Sequence, residues 1–303
     1  MSGQADISVN LDQLFNDILK TSKVAEVDVT PQQEEIVSSF VDAYGDIFKD
    51  GAVAFRTTTK PQEKRNLSVR YLAFDKPHDP YQIALEKGFF VENGHPVEGV
   101  LRELQSRFPS LGYGADFSVK NGFEKIWILF PSGPLSNKEV CTFSSLPKSV
   151  KEHADYFAKY DLNLSAMCSM DYQHSSFNLY FERRVEDWLN PDKVIGLIKD
   201  LGFEMPPQNI LDINLEALVL YYTFTWESSQ VERLCFGMAA ANPDGVPAYL
   251  HPVIEKVVAE APILFNERRF TYGTTCTRNQ DYMKIEADYV GKISATLREL
   301  AQV

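Results

Sequence analysis

Asp281–Val290 reads DYMKIEADYV. Along an extended chain, alternation puts Met283, Ile285, Ala287 and Tyr289 on one face and Lys284, Glu286 and Asp288 on the other. The stretch predicts a strand whose apolar face is packed and whose charged face looks at something that has to be identified. Other segments repeat the pattern. Arg56 and Thr58; Ser68 and Arg70; Lys125 and Trp127; Asn178 and Tyr180; Tyr221, Thr223 and Thr225; and Arg233 and Cys235 each share a face. The opposite faces carry Phe55, Leu67, Ile126, Phe177, Leu179, Leu234 and Phe236.

These strands sit in a recurring order. Helical spacing covers Leu11–Val24 and Pro31–Phe48, with Thr30 and Pro31 reading as N-cap and first helical residue, and strands Gly51–Thr59 and Asn66–Phe74 follow across the turn-rich KPQEKR. The order returns as helices Pro80–Phe90 and Pro96–Phe108 with strands Gly112–Val119 and Lys125–Pro131. A short piece near Ser136–Cys141 and helix Ser149–Tyr160 then lead to strands Ser165–Tyr172 and Ser176–Arg183. Helices Pro191–Leu201 and Gln208–Leu215 precede strands Leu218–Trp226 and Val231–Ala240. Helix Pro247–Ala259, strands Arg269–Arg278 and Tyr282–Val290, and helix Ser294–Ala301 end the chain.

Helix, helix, strand, strand thus recurs about five times, and the links inside each strand pair are too short for parallel crossovers. The expectation is an α+β fold: one domain over residues 1–303, an antiparallel sheet of about ten strands that closes into a barrel, with helices outside. Helices packed outside require an apolar outer strand face, so the charged face lines the lumen.

Composition agrees with a globular protein: 303 residues, 44% hydrophobic and 24% charged. The net charge of −12 disfavours nucleic acid and anionic membrane surfaces, so any anionic ligand has to be held locally. MSGQADISVN lacks the charged start and apolar run of a signal peptide, and no run approaches the roughly 20 apolar residues of a membrane span. A cytoplasmic protein is expected. Cys141, Cys168, Cys235 and Cys276 form no CxxC pair and suggest neither zinc nor disulfides.

In such a lumen Arg56, Arg70, Lys125, Arg233 and Lys284 put five cations on five strands. Left unpaired, each would cost several kcal/mol, which two or three phosphates would offset. Asn178, Tyr180, Tyr221 and Thr223 add neutral hydrogen-bonding groups, and Trp127 adds an aromatic wall able to stabilise a carbocation.

EKGFF with GHPV (Glu86–Phe90, Gly94–Val97), GFEKIWILFP (Gly122–Pro131), SMDYQHSSFNLYF (Ser169–Phe181), WESSQVERLCF (Trp226–Phe236) and DYMKIEADY resemble the soluble aromatic prenyltransferases of the ABBA, or CloQ/NphB-like, family. The resemblance extends over nearly the whole chain and implies a ten-stranded barrel of ααββ units. It further implies transfer of a dimethylallyl or longer prenyl group from its diphosphate to an electron-rich aromatic ring, in Streptomyces or fungal secondary metabolism. By motif position Lys125, Asn178, Tyr221, Arg233 and Lys284 look like the diphosphate-binding set; Tyr180 joins them, and Arg56 and Arg70 sit where members use cations or serines. His174 falls where other members carry a lysine. Magnesium-dependent members place an aspartate where this chain has Ser68, and no DDxxD motif is present. A metal-independent enzyme with no cofactor is implied, acting as a monomer on a small prenyl diphosphate and an aromatic acceptor.

The chemistry expected is Friedel–Crafts alkylation, with Lys125 and the other cations neutralising the leaving diphosphate and Trp127 shielding the allylic cation. Glu286 is the candidate acceptor anchor and proton acceptor, or else a partner for Lys284 or Arg233. Asp288 is a further acceptor-binding candidate, or else sits nearer the barrel mouth, in water, and Ala166, Leu218, Gly237 and Val219 are expected to shape the acceptor pocket. A non-catalytic barrel binding an anionic amphiphile would need the same cations. A hydrolase using His174 and Asp171 is disfavoured, because Asp171 is expected to face away from the lumen.

Overall fold

The computed structural model describes residues 8–75, 78–130, 133–183 and 188–300. Pro131 and Ala301, expected to end a strand and a helix, lie outside these residues, as does most of MSGQADISVN.

The first unit is α1 (Leu11–Val24), α2 (Pro31–Ala43), α3 (Gly45–Asp50), β1 (Ala52–Thr58) and β2 (Ser68–Ala73). The second is α4 (Pro80–Glu86), α5 (Pro96–Arg107), β3 (Gly112–Ser118) and β4 (Gly122–Leu129). The third is α6 (Asn137–Val140), α7 (Lys148–Glu152), α8 (Ala154–Lys159), β5 (Met167–Asp171) and β6 (Ser176–Glu182). Next come α9 (Pro191–Asp200), α10 (Gln208–Asn214), β7 (Val219–Thr225) and β8 (Arg233–Ala240), then α11 (Pro252–Glu260), β9 (Phe270–Cys276), β10 (Tyr282–Asp288) and α12 (Ile293–Leu300). Every barrel strand pairs antiparallel with its neighbours in chain order, and β1 pairs with both β2 and β10, which closes the barrel.

The outer strand faces carry the core. Phe55, Val69, Phe117, Ile126, Phe177, Leu234 and Phe236 are buried under the helices, and Met283, Ile285 and Ala287 pack with Val253, Ile254 and Val257 of α11. Tyr289 reaches the coat as well, donating to Asp17 of α1 at 2.8 Å.

Three expected helices are interrupted. Pro31–Phe48 breaks at Tyr44, whose backbone leaves helical geometry and whose hydroxyl donates to the Pro80 carbonyl at 2.7 Å. Ser149–Tyr160 breaks at His153, and Pro247–Ala259 becomes a 3₁₀ turn followed by α11, because Pro252 has no N–H with which to continue a helix. Several strands start one to three residues from their expected first residue, two of them with a change of partner or register. Leu164–Ser165 pairs instead with Leu135–Ser136 in a separate two-stranded sheet, so β5 begins at Met167, while β4 begins at Gly122.

A register shift between β3 and β4 is the irregularity with functional consequences. Asp116 pairs with Lys125 and Phe117 with Phe123, leaving Glu124 as the extra residue of a bulge. Glu124 and Lys125, although adjacent, both line the lumen.

The core predicts a sharp contrast between two substitutions. Phe117 lies 4.8 Å from the Phe40 ring and 4.7 Å from that of Tyr44, centroid to centroid. Phe117→Ala should cost about 3–5 kcal/mol in chemical denaturation. Val91→Ala, at a side chain that is 79% exposed, should change stability by less than about 0.5 kcal/mol.

Candidate active site

The charged face of DYMKIEADYV runs the length of the lumen. Tyr282 lines a polar chamber, Glu286 lines an apolar one, and Lys284 lines both. Arg56, Tyr180 and Tyr221 also line both, so these four residues form the boundary between two connected chambers. Counting space open to solvent, the apolar chamber offers about 700 Å³ and the polar one about 740 Å³.

Asp116 anchors the lumen's charge. It is fully buried and accepts from Arg70 Nε at 2.8 Å and Trp127 Nε1 at 2.9 Å, with Arg56 Nη2 at 3.1 Å. Burial alone would raise its pKa, but Arg70 and then Arg56 outweigh that and hold it at about 2. Arg70 is gripped from the other side by Glu286, Nη1 to Oε2 at 2.7 Å, and Glu286 also accepts from Thr271 at 3.0 Å. The Arg70 guanidinium lies 4.2 Å over the Trp127 ring, so one face of that ring already meets a cation.

These contacts correct three expectations. Arg70 lines the apolar chamber and is held between two carboxylates, rather than standing among the polar chamber's cations. The partner of Glu286 is Arg70, not Lys284 or Arg233, because the register places Glu286 opposite Arg56 and Thr271. The five cations are also not uniformly unpaired. Arg56 meets Asp116 and, at 3.5 Å, Glu124, while Lys125 lies 3.5 Å from Asp171.

Asp171 is therefore in the lumen, against expectation. Alternation from Met167 through Ser169 brings it inward, opposite Lys125 in register. Burial would raise its pKa, but Lys125 and then His174 hold it below the usual carboxylate range. His174 sits at the lip with its side chain 62% exposed and its Nδ1 3.1 Å from Asp171.

Glu124, Asp171 and His174 have ligand-type atoms within 4.8 Å of one another. Arg56 and Lys125 already pair with the two carboxylates, and the Ser68 hydroxyl donates to Glu124 at 2.8 Å, so the group serves as counter-charge to the cations around it.

Lys284 and Arg233 differ from the other three. Among the described residues neither has a carboxylate at ion-pair distance. Lys284 donates to the Tyr221 hydroxyl at 2.5 Å, and burial, with Arg233 and Arg56 adding to it, lowers its pKa. Asn178 donates to Ser169 at 2.9 Å while its buried carbonyl oxygen has no protein partner. Trp127, Tyr180 and Tyr221 form an aromatic band, with centroids 4.9 Å and then 4.8 Å apart.

The acceptor-pocket expectations divide. Gly237 and Val219 line the apolar chamber; a Cβ on Gly237 would stand 2.7 Å from Val219 Cγ1. Leu218 has the opposite parity to Val219 and lines neither chamber. Ala166 sits at the joint between the small sheet and β5, its carbonyl accepting from Phe130 N at 3.0 Å, and Met167 takes its place at the chamber wall. Asp288 is fully buried rather than in water. It accepts from the backbone and hydroxyl of Ser294, each at 2.9 Å, and so holds the first turn of α12, whose Ile293, Thr296 and Leu297 close the apolar chamber.

Asp116, Glu124, Met167 and Tyr282 were missed by sequence reasoning. For Asp116 a signal exists, an acid inside the otherwise apolar GYGADFS; for Tyr282 the signal is its parity with Lys284.

The unequal pairing makes a stability prediction. Asp116→Asn strips Arg56 and Arg70 of a shared counter-charge and should cost about 3–5 kcal/mol. Lys284→Met, which removes a cation with no carboxylate partner, should leave stability unchanged or raise it by about 1 kcal/mol. Denaturant titration of both variants checks the opposite signs.

Residues 9–300 match the family described as Aromatic prenyltransferase Orf2. The chain is 29% identical to the 5,10-dihydrophenazine-1-carboxylate 9-dimethylallyltransferase of Streptomyces anulatus, over 92% of this chain and 93% of that protein. It is 26% identical to the flaviolin linalyltransferase of Streptomyces virginiae, over 98% and 97% of the two chains. The crystal structure of 6-dimethylallyltryptophan synthase from Micromonospora olivasterospora in complex with DMASPP and Trp shares the fold at a TM-score of 0.56 and 9% identity, covering 93% of this chain and 98% of that one. No described helix is long and apolar enough to cross a membrane. With its match running through all five strand pairs and the whole lumen, the chain belongs to the aromatic prenyltransferase Orf2 family and is an aromatic prenyltransferase.

Proposed function

We propose that the protein moves a dimethylallyl group from dimethylallyl diphosphate to an electron-rich aromatic carbon, with no metal ion. The observation that carries this reading is the boundary shared by a cationic and an apolar chamber, where Arg56, Tyr180, Tyr221 and Lys284 meet. A donor whose diphosphate lies among Lys125, Asn178, Arg233 and Lys284 would place its allylic carbon at that boundary and its tail in the apolar chamber. Relatives named for dimethylallyl transfer to 5,10-dihydrophenazine-1-carboxylate and to 4-hydroxyphenylpyruvate support the five-carbon donor and an acceptor bearing NH or OH.

The allylic C–O bond breaks with its electron pair going to the diphosphate, whose charge the cations stabilise in place. Tyr180 and Tyr221, with Trp127, shield the allylic cation. The aromatic carbon then bonds to it, and the ring proton leaves. Glu286, held by Arg70 and Thr271, orients the acceptor's OH or NH and is the proposed proton acceptor. Arg56, Lys125, Arg233 and Lys284 supply the positive charge that a metal ion would otherwise bring.

The reading is tested by incubating the protein with dimethylallyl diphosphate and phenol, hydroxynaphthalene and dihydrophenazine acceptors in excess EDTA. A prenylated ring carbon and free diphosphate are expected; an absolute need for magnesium, or turnover of no acceptor, would sink it. A pair of substitutions then separates the two ends of β10. Lys284→Gln should weaken binding of an unreactive thiolo-diphosphate analogue and lower turnover by about 10²-fold. Glu286→Gln should spare analogue affinity while weakening acceptor use or altering which ring carbon is prenylated. Equal losses of donor affinity in both variants would show that Glu286 has no separate acceptor role.

A further inference from the structure

The polar chamber's charge is incomplete without a ligand. Its two lining carboxylates are already engaged, Glu124 by Arg56 and Ser68 and Asp171 by Lys125 and His174. Arg233 and Lys284 are left with no carboxylate, and Lys60 and Lys64 line the same chamber. Two phenols face them: Tyr221, whose hydroxyl accepts from Lys284, and Tyr282. Lys60 Nζ lies 4.5 Å over the Tyr282 ring and Lys284 Nζ lies 5.7 Å from the ring centroid, and Arg233 lines the same chamber. From the neighbouring strands Cys235 of β8 also faces Tyr282, and Thr275 of β9 is its register partner.

We propose that Tyr282 is an exchangeable counter-anion of the donor site, a phenolate balancing Lys60, Arg233 and Lys284 when no donor is bound and a neutral phenol when a diphosphate takes over that task. This rests on the donor site proposed above. A diphosphate beside a phenolate would suffer like-charge repulsion at close range, so the phenolate takes one proton from solvent and its O–H then donates to a phosphate oxygen. When diphosphate leaves, the proton returns to solvent, and no proton is gained or lost over a turnover.

Charge balance at the site supports the exchange. Burial would raise the phenol, but Lys284 foremost, then Arg233 and Lys60, bring it down to about 7. Tyr221 and Tyr180, in the same lumen, are instead pushed upward by burial. Tyr282 in turn helps to hold the proton on Arg233 against its burial.

The sign of the linkage follows. Donor binding that takes up one proton weakens by about tenfold per pH unit above neutrality. Loss of the Lys284 proton, whose pKa is lowered, acts in the same direction, so pH dependence alone does not isolate Tyr282. The phenolate's ultraviolet absorbance does. Below about pH 9 ordinary tyrosines stay neutral.

The test is a difference titration of the full chain from about pH 6 to 9, comparing wild type with Tyr282→Phe. Wild type should develop one phenolate near neutrality that Tyr282→Phe lacks, and saturating thiolo-diphosphate analogue should return it to phenol. Lys60→Gln, at the accessible lip, should move the same titration to higher pH, which keeps the test decisive if Tyr282→Phe fails to fold. The proposal is overturned if no phenolate appears near neutrality in wild type, or if the phenolate persists with the analogue bound. Binding of the analogue is followed separately by calorimetry; absence of binding to wild type would overturn the donor-site reading and the exchange with it, whereas binding that leaves the phenolate unchanged would overturn the exchange alone.

Discussion

The structure depends on one buried carboxylate. Asp116 on β3 accepts from Arg56 of β1, Arg70 of β2 and Trp127 of β4, and Arg70 continues the chain of contacts to Glu286 on β10. Backbone ladders hold each strand to its neighbours, but this network crosses several strands at once and spans the β1–β10 pairing that closes the barrel. Charges inside a protein are tolerated only when paired and hydrogen-bonded. The network meets that condition for Arg56 and Arg70 and withholds it from Arg233 and Lys284. The cations without carboxylates cluster at the end where the donor's diphosphate is proposed to bind.

That asymmetry divides the lumen. Where cations are matched to carboxylates, around Arg70, Glu286 and Trp127, the wall is close to neutral and its other members are apolar: Leu72, Met167, Val219 and the α12 residues Ile293 and Leu297. Where they are unmatched, Asn178, Thr223 and Tyr282 join them. A molecule with a charged head and a hydrocarbon tail has one favourable orientation in such a lumen. Orientation alone can supply a large share of catalysis when a reactive carbon must be presented to a second substrate.

Much of this is legible in the sequence, and the part that is not has physical reasons. DYMKIEADYV alternates through its whole length, so its two faces are readable, and the same holds for strands bearing Arg56, Asn178, Tyr221 and Arg233. Strand pairing in chain order follows from the short links. What does not follow is any feature that depends on a local irregularity. The bulge at Asp116 and Phe117 lets Glu124 and Lys125 both face inward, and the joint at Ala166 shifts the parity of β5 so that Met167 and Asp171 point inward. A single residue of slip reverses a face, and nothing in the composition of these segments marks the slip. Carboxylate partners were missed for another reason. Cross-strand pairs such as Arg70 with Glu286, separated by 216 residues, become readable only once the barrel closes.

An overall charge of −12 opposes anion binding at long range, yet it is compatible with a site for diphosphates because of distance. Mobile ions screen charges beyond about 8–10 Å, so acids on the helical coat contribute little inside the barrel or at its lip. There the field comes from Lys60, Lys64, Arg56, Arg233 and Lys284, which line one chamber. A field of this kind is short-ranged. It leaves the approach of an anionic donor unassisted until the donor reaches the lip, and it strengthens as the diphosphate moves inward and sheds water. In the function proposed above, discrimination therefore falls on what fits behind the diphosphate, in the chamber bounded by Trp127, Val219, Gly237 and α12. On that proposal, selection among prenyl donors and aromatic acceptors rests on shape and on Glu286, and retention of the donor rests on charge.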